Sequence, residues 1–322
     1  MVFISTWNVQ PLVNVMTGLD TRSCLIVHQN QVVLEYYRKP QYREEPGKIN
    51  SCTKSVLSTL IGIAMEQQLF PYPETPIYEY FPMLKDESDA RKRTFTIDHL
   101  LTMTAGFAWN EFGGLNSFPA MSHTPDWVQY VLTQPMAEDP GSKMVYSSGC
   151  SQLLSAILQQ TTGQTAADFA EEQLFRHLGI EDYHWETDPQ GIHTGGFGLY
   201  LKPWDMVKFG QLYLGQGTFE GRRLLTPDTI REFTAPRIET EAPQKAQYGR
   251  HWWISSFATG EEKSDKEIPY YYALGFGGQY IIVVPSFELV VVITADSTKK
   301  KRTKVDLFRQ HIVPLLLNSA TS

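Results

Sequence analysis

Two apolar runs near the carboxyl-terminal end of the chain constrain the fold more than any other feature. Residues 280–284 read Tyr-Ile-Ile-Val-Val and residues 288–295 read Glu-Leu-Val-Val-Val-Ile-Thr-Ala, with Pro-Ser-Phe between them. Runs of this composition predict strands, and strands without a polar face must be covered on both sides. The sequence therefore predicts a central hairpin in a sheet that lies between two other layers.

A second pair of such runs lies near the amino-terminal end. Residues 24–37 read as two short β-branched segments around a polar Gln29-Asn30 turn, which is typical of a hairpin. Residues 252–254, Trp-Trp-Ile, are a candidate fifth strand. We therefore expect one sheet to which both ends of the chain contribute.

Helical patterns fill most of the chain between these strands. The apolar spacing predicts helices at residues 53–69, 97–103, 125–132, 151–161, 166–178, 204–214 and 226–233. The expected fold class is α/β (α+β), with an antiparallel sheet built from both chain ends, helices flanking it and an inserted helical subdomain. Residues 1–75 and 200–322 would form the α/β sheet domain, and residues 76–199 the mainly helical subdomain.

Charge and composition argue against several classes of function. A net charge of -7 disfavours a nucleic-acid partner, and no apolar run reaches the roughly 18 residues that a membrane span needs. The basic cluster at residues 299–304 is interpreted as a solvated strand end. No secretory signal is visible, so the cytoplasm is the favoured location, and a location outside the cytoplasm stays open.

The most informative local feature is a serine three residues before a lysine, at the start of an apolar helix. Ser51 and Lys54 lie about one helical turn apart, so the amine can reach the hydroxyl. Residues 56–65 are apolar on nearly every side, which indicates a buried helix. Burial lowers the pKa of a lysine towards that of a general base, and a helix amino terminus favours a developing oxyanion. The pair therefore predicts a nucleophile and its base.

The spacing of this pair carries little weight on its own. Ser297-x-x-Lys300 has the same spacing, but it stands among charges and no apolar helix follows it. In isolation, Ser51 would be interpreted as a capping serine and Lys54 as a solvated lysine. The buried helix that follows is what favours the catalytic interpretation.

Two further segments suit the same chemistry. Residues 140–148 predict a turn leading into a helix near residue 151, where Tyr146 can pass a proton between nucleophile and leaving group. Residues 273–279, Ala-Leu-Gly-Phe-Gly-Gly-Gln, precede the apolar strands, and glycines there allow a close approach and an oxyanion donor from the strand. The alternatives are a tyrosine that only packs and an ordinary tight turn.

Patterns of other enzyme classes are missing from the sequence. No Gly-x-Ser-x-Gly motif of an α/β-hydrolase occurs, and the eight histidines show no metal-ligand spacing. Cys52 and Cys150 each adjoin a proposed catalytic segment, so an oxidation-sensitive site is one hypothesis. The alternative is that both are buried as small hydrophobic residues.

In their order and separation, the three segments resemble the serine β-lactamase and penicillin-binding protein superfamily, in its class C-like and esterase-like branch. Ser51 and Lys54 match its Ser-x-x-Lys element, residues 146–148 match Tyr-x-Asn, and residues 273–275 occupy the Lys/His-Thr-Gly position. Residues 98–106 and 195–199 are similar to the same branch. The resemblance covers nearly the whole chain.

The resemblance implies a β-lactamase-like fold and a reaction without metal or cofactor. Ser51 would attack an ester or amide carbonyl, while Lys54 and Tyr146 transfer protons. The substrate-binding and oxyanion region would contain these residues: Ser148, Gly275, Phe276 and Gly277. The oxyanion itself would lie between the backbone N–H groups of Ser51 and Phe276.

Two departures from the family pattern change the expected substrate. Ser148 replaces an asparagine, which keeps hydrogen-bonding groups but shortens their reach. Ala273 replaces the lysine or histidine that supports a substrate's carboxylate, and a methyl group cannot do so. The sequence therefore favours a small neutral ester or amide, with the aromatic pairs Trp252-Trp253 and Tyr271-Tyr272 as candidate pocket residues.

Three hypotheses stay open from the sequence. The leading one is a serine esterase or amidase with an acyl-enzyme at Ser51. The second is a D-amino-acid peptidase, penicillin-binding protein or β-lactamase. The third is a non-catalytic ligand-binding protein of the same fold. The sequence does not predict the oligomeric state.

Overall fold

The computed structural model describes residues 7–259, 267–296 and 307–320. The basic cluster at residues 299–304 and the second Ser-x-x-Lys at 297–300 lie outside the described residues. The strands are β1 (Thr21–His28), β2 (Gln31–Tyr37), β3 (Gly47–Lys48), β4 (His184–Trp185), β5 (Leu199–Leu201), β6 (Thr218–Phe219), β7 (Arg222–Arg223), β8 (Ile238–Thr240), β9 (Ala246–Tyr248), β10 (Trp253–Ala258), β11 (Glu267–Gly275), β12 (Gln279–Val284) and β13 (Leu289–Ala295).

The helices lie mainly between β3 and β8. They are α1 (Gln10–Thr17), α2 (Thr53–Glu66), α3 (Ile97–Leu101), α4 (Phe118–Ser122), α5 (Trp127–Leu132), α6 (Ser148–Thr162), α7 (Ala166–Ala170), α8 (Arg176–Leu178), α9 (Pro203–Leu214), α10 (Pro227–Thr234) and α11 (Val313–Ala320). A π-helical turn joins α7 to α8, so residues 166–178 are helical throughout, as predicted.

The main sheet has eight antiparallel strands in the order β2-β1-β13-β12-β11-β10-β9-β8. β1 pairs with β13, which confirms that both chain ends build one sheet. The predicted turn between β1 and β2 consists of Gln29 and Asn30, both with left-handed backbone (φ 49° and 59°). A two-residue turn of this kind matches the twist of the strands that it connects.

The predicted central hairpin is buried on both faces. Every residue of β12 and β13 is buried, and successive side chains face opposite sides. Ile281 and Val283 face the core formed with α2 and α9, whereas Ile282 and Val284 face the core formed with α1 and α11. Each such side chain contributes about 1.5–3 kcal/mol to folding through burial. The apolar run thus explains the three-layer arrangement.

In the main sheet, the sequence did not predict β8, β9 and β11, and outside it the short strands β3 to β7 were not predicted either. Residues 273–279 are read as a turn before the apolar strands, but Ala273 to Gly275 are the end of β11, and the turn comes after them. Pro269 lies in β11, and strand patterns with proline are weak signals. α6 starts at Ser148 rather than near residue 151, because Ser147 caps it by accepting a hydrogen bond from the N–H of Cys150.

The helices between β3 and β8 share one core with the sheet. α2 crosses this core, and its residues from Thr53 to Ala64 are all buried. The core continues from α2 into α6 and α7. The division into a sheet domain and a helical subdomain stays a prediction. Among the described residues, no helix has the length and apolarity of a membrane span.

Candidate active site

Ser51 lies in a tight turn that leads directly into α2. Asn50 at the start of this turn has left-handed backbone (φ 49°), and its side-chain Nδ2 donates to the carbonyl of Phe276 at 2.8 Å. The Oγ1 of Thr53 donates to the carbonyl of Asn50 at 2.7 Å. The turn is therefore held against the end of β11, and the partly exposed Ser51 stands at the amino terminus of a buried helix.

Lys54 is buried, with 1% of its surface exposed. Its Nζ lies 3.4 Å from Oγ of Ser51, 3.0 Å from Oγ of Ser148 and 2.8 Å from the carbonyl oxygen of Gly196. Burial lowers the pKa of Lys54 to about 8, against the opposing effect of the negative charge of Glu111. The predicted pair is thus in contact, and the lowered pKa makes a neutral amine available closer to neutral pH than in an ordinary lysine.

Tyr146 lies on the other side of this amine. Nζ of Lys54 is 4.9 Å from the centroid of the Tyr146 ring, and that ring stacks on Trp253 at 5.8 Å. Burial raises the pKa of the Tyr146 phenol above its usual range, while a hydrogen bond with Ser51 opposes the shift. The phenol therefore keeps its proton and is suited to donate it rather than to act as a base.

Ser148 does not face outward as a substrate contact. It is 2% exposed, and its Oγ accepts from Lys54 and makes a short hydrogen bond to Oε1 of Glu111. Oε2 of Glu111 accepts from the N–H of Ser148 at 2.8 Å and from Nε1 of Trp109 at 2.8 Å. Sequence reasoning missed Glu111. The available signal was an acidic residue between Trp109 and Phe112, outside any helical pattern.

The predicted oxyanion segment forms the tight turn between β11 and β12. Gly277 and Gly278 have positive φ (81° and 97°), and the N–H of Gly278 donates to the carbonyl of Gly275 at 3.2 Å. A side chain on Gly275 would collide with the carbonyl of Ile49, so glycine allows β11 to approach the Ser51 turn. This approach places Phe276 beside the Ser51 turn.

Ala273, in the position of the family's cation, is 1% exposed and belongs to the hydrophobic core. Its methyl group therefore supplies no charge to the site.

Gly196 packs closely against the amine of Lys54. A methyl group on Gly196 would lie 2.9 Å from both Nζ of Lys54 and Oγ of Ser148. The segment is fixed by the N–H of Gly195, which donates to Oε1 of Gln152 at 3.0 Å. The resemblance of residues 195–199 to the family thus has a physical basis, which sequence reasoning did not identify.

The polar groups behind α2 have structural roles. His251 lies between the carbonyl of Leu101, 2.8 Å from Nδ1, and Oγ of Ser151, 3.0 Å from Nε2. Burial, and then the charge of Lys54, lower the pKa of His251 to about 3, so the ring is neutral. Arg250 donates to Asp98 at 2.7 Å. These contacts explain the segment at residues 98–106 without assigning it to catalysis.

Both cysteines near the site are buried free thiols. Burial raises the pKa of Cys52 above its usual range and that of Cys150 to about 12. The thiolate is the reactive form, so neither residue suits an oxidation-sensitive site.

The aromatic residues predicted to line a pocket lie mostly in the cores. Trp252 and Tyr271 pack with α9 in the core that α2 also forms, whereas Trp253 reaches the site by stacking on Tyr146. The exposed aromatic rings at the site are instead Phe112 and Phe276, 65% and 60% exposed, with centroids 6.4 Å apart. Of the four aromatic residues named from the sequence, Trp253 reaches the site, while Trp252, Tyr271 and Tyr272 lie in the cores.

The sequence model of the family described as Beta-lactamase matches residues 18–313. The chain belongs to the β-lactamase family. Among solved structures, EstCE1, described as a hydrolase with promiscuous acyltransferase activity, has a TM-score of 0.74, with 98% of this chain and 97% of that chain covered at 15% identity. The resemblance and the β-lactamase-like fold predicted from the sequence are thus confirmed.

Curated relatives are matched over a smaller share of their own length. The D-alanyl-D-alanine-carboxypeptidase/endopeptidase AmpH of Escherichia coli K12 is 23% identical over 260 residues, which cover 72% of this chain and 64% of AmpH. The 6-aminohexanoate-dimer hydrolase of Paenarthrobacter ureafaciens is 21% identical over 293 residues, which cover 84% of this chain and 71% of that protein. Two further relatives are matched over 51% of their own length.

Proposed function

We propose that the chain is a serine hydrolase that forms an acyl-enzyme at Ser51 and acts on neutral esters or amides. The observation that carries the proposal is the buried amine of Lys54, 3.4 Å from Oγ of Ser51 and with its pKa lowered to about 8. The family supports it, since named relatives include an amide hydrolase and a carboxypeptidase. The acyltransferase activity stated for EstCE1 is consistent with an acyl-enzyme.

The contacts of Lys54 favour its action as a base towards Ser51. A neutral amine has two N–H groups and one lone pair. The two shorter contacts, to Ser148 and to the carbonyl of Gly196, take the N–H groups. The third contact, at 3.4 Å, leaves the lone pair directed at the hydroxyl of Ser51. A base at this distance can remove the proton of Ser51 Oγ when a substrate is bound.

In the proposed reaction, Oγ of Ser51 bonds to the substrate carbonyl carbon while its proton moves to Nζ of Lys54. The carbonyl π electrons move to oxygen, which the backbone N–H groups of Ser51 and Phe276 would stabilise. As the carbonyl re-forms, the leaving alcohol or amine departs with a proton from Tyr146, which recovers one from Lys54. Water then attacks the acyl-enzyme by the reverse proton path and releases the acid and Ser51.

A covalent probe tests the nucleophile. We expect a fluorophosphonate to add one phosphonyl group to the folded protein, and peptide mapping to place it on Ser51. Ser55 and Ser58 serve as internal controls on the same helix, because their hydroxyls donate to buried carbonyls of His251 and Arg250, each at 2.7 Å. A folded protein that stays unlabelled, or carries the label at another residue, would contradict the proposal. Stoichiometric labelling by penicillin would instead favour the peptidase alternative.

An apolar cavity supports a neutral substrate. A cavity of about 700 Å³ borders Tyr146 and Glu111, and its walls include Phe107, Trp109 and Phe112. Glu138 and Lys143 also border it, and they form an ion pair with each other at 2.9 Å. Phe112 faces Phe276 across 6.4 Å, and both rings are mostly exposed. Exposed aromatic surface beside a reactive serine is suited to an apolar substrate group. Together with the missing cation at Ala273, this favours an uncharged ester or amide.

Ester chain length tests the two rings. We expect kcat/KM for p-nitrophenyl hexanoate to fall about tenfold in Phe112→Ala and in Phe276→Ala, because about 1–1.5 kcal/mol of apolar contact is lost. The value for p-nitrophenyl acetate should change less than about twofold, since the short acyl group does not reach the rings. Tyr72→Ala, which removes a 69% exposed ring beyond the carboxyl end of α2, is the control. Equal losses on both esters would refute a role in chain-length selection.

A further inference from the structure

We propose that Glu111 is a positioning residue for Lys54, acting through the hydroxyl of Ser148. It would orient the amine and provide the negative charge opposite the ammonium that forms when Ser51 loses its proton. This inference rests on the proposed function of Ser51 and Lys54. It adds a residue that is not part of the three family motifs identified in the sequence.

The hydrogen bonds run in one direction from Lys54 to Glu111. With the lone pair of Nζ directed at Ser51, an N–H of Lys54 donates to Oγ of Ser148 at 3.0 Å. The single proton of that hydroxyl then points to Oε1 of Glu111, with which it makes a short contact. One hydroxyl therefore connects the base to a carboxylate and fixes the position of both.

Glu111 is held as an acceptor. It is 9% exposed, and its second oxygen accepts from the N–H of Ser148 and from Nε1 of Trp109, both at 2.8 Å. Three donors meet the two carboxylate oxygens, an arrangement that suits the ionised form, which only accepts hydrogen bonds. A buried negative charge with these contacts is fixed in place close to the lysine.

The other titratable groups around Lys54 are neutral. The thiols of Cys52 and Cys150 have raised pKa values, as does the phenol of Tyr146. The ring of His251, with its pKa lowered to about 3, carries no charge above that pH. Of the described residues whose charge would affect the pKa of Lys54, Glu111 is therefore the one that carries a charge.

This arrangement compensates for a charge that the reaction creates in a buried place. An ammonium without a partner is strongly disfavoured in a protein interior. When the Ser51 proton binds Nζ, the Oγ–H bond breaks and an N–H bond forms, while Ser148 keeps its own proton towards Glu111. The new positive charge then faces a carboxylate through one hydroxyl.

The pH profile of Glu111→Gln tests the inference. The base works unprotonated, so wild-type kcat/KM should rise with pH through about 8, the pKa of Lys54, and be lost as the pH falls below it. Removing the negative charge lowers the pKa of Lys54 further, because that charge favours the ammonium. We expect the acid limb to move to lower pH by about one unit and the high-pH plateau to fall about 10- to 100-fold.

Two variants complete the experiment. Ser148→Ala keeps the charge but removes the hydroxyl, so it should lower the plateau about tenfold and move the acid limb less than Glu111→Gln does. Glu35→Gln is the matched control, because Glu35 on β2 also accepts from a tryptophan, Nε1 of Trp204 at 2.9 Å, in a partly buried position. It should leave both the limb and the plateau unchanged.

The outcomes separate this inference from the proposed function. If wild type is labelled at Ser51 and folded Glu111→Gln shows the wild-type limb and plateau, the positioning role is wrong while the nucleophile stands. If wild type is not labelled, the proposed function itself fails. If Glu111→Gln does not fold, Ser148→Ala decides, since a wild-type plateau in that variant would overturn the inference.

Discussion

Lys54→Met is expected to lower kcat/KM for p-nitrophenyl esters by about 10³-fold, within the range that a general base contributes. Methionine fills nearly the same buried volume and cannot take the proton of Ser51. The variant loses donors to Ser148 and Gly196, at about 1 kcal/mol each, and avoids the desolvation of a charge, so it should fold. Steady-state kinetics, with thermal unfolding as a folding check, measure both effects.

The control for this substitution is an exposed lysine. Lys39 lies beyond the end of β2 and is solvent-exposed, so Lys39→Met should keep wild-type kinetics. Folded Lys54→Met with more than about a tenth of wild-type kcat/KM would be incompatible with Lys54 as the base, since a base contributes at least about 10².

Gly196→Ala is expected to reduce kcat/KM by about 10²-fold, the effect of displacing a catalytic group by roughly 1 Å. The added methyl would lie 2.9 Å from Nζ of Lys54, closer than real Cβ contacts allow. The amine is the end of a flexible side chain and can move, whereas Cβ of Ser148, also 2.9 Å away, moves only with the start of α6. We expect the free energy of unfolding to fall by about 1–3 kcal/mol, as for other overpacked sites.

Gly18→Ala is the matched glycine substitution. Gly18 has ordinary backbone (φ -86°), and its added methyl would make a normal contact of 3.6 Å with the carbonyl of Val15. It should leave kinetics unchanged. If Gly196→Ala kept wild-type kcat/KM while folded, the close packing of residue 196 against Lys54 would have no part in positioning the base.

The charged groups around Ser51 and Lys54 are distributed unevenly. Ala273 removes a cation on the substrate side of the site and lies in the core, whereas Glu111 places an anion behind the lysine. A site with this distribution favours formation of the lysine ammonium and offers nothing to a substrate carboxylate at position 273. In the proposed function, the exposed rings of Phe112 and Phe276 would then meet an uncharged part of the substrate.

Local sequence patterns were enough to predict β1, β2, β12 and β13 and the contact between Ser51 and Lys54. A run of β-branched residues has to be covered on both faces wherever it lies, so β12 and β13 could be predicted without knowing their neighbours. The relation of Ser51 to Lys54 depends on a spacing of three residues at a helix start, which is also local. Motif order then connected this pair to Tyr146 and to the segment around Gly275.

Only the tertiary structure decided what surrounds the lysine amine. Ser148 lies 94 residues from Lys54 in the sequence and Gly196 lies 142 residues away, yet both contact the same nitrogen. Glu111 reaches this group through Ser148, and Phe112 meets Phe276 across the site. Such contacts depend on how distant segments pack, and residue spacing contains no information about that. Ser51 and Lys54 were therefore visible as a pair in the sequence, whereas the charge and hydrogen bonds that set the state of the amine were not.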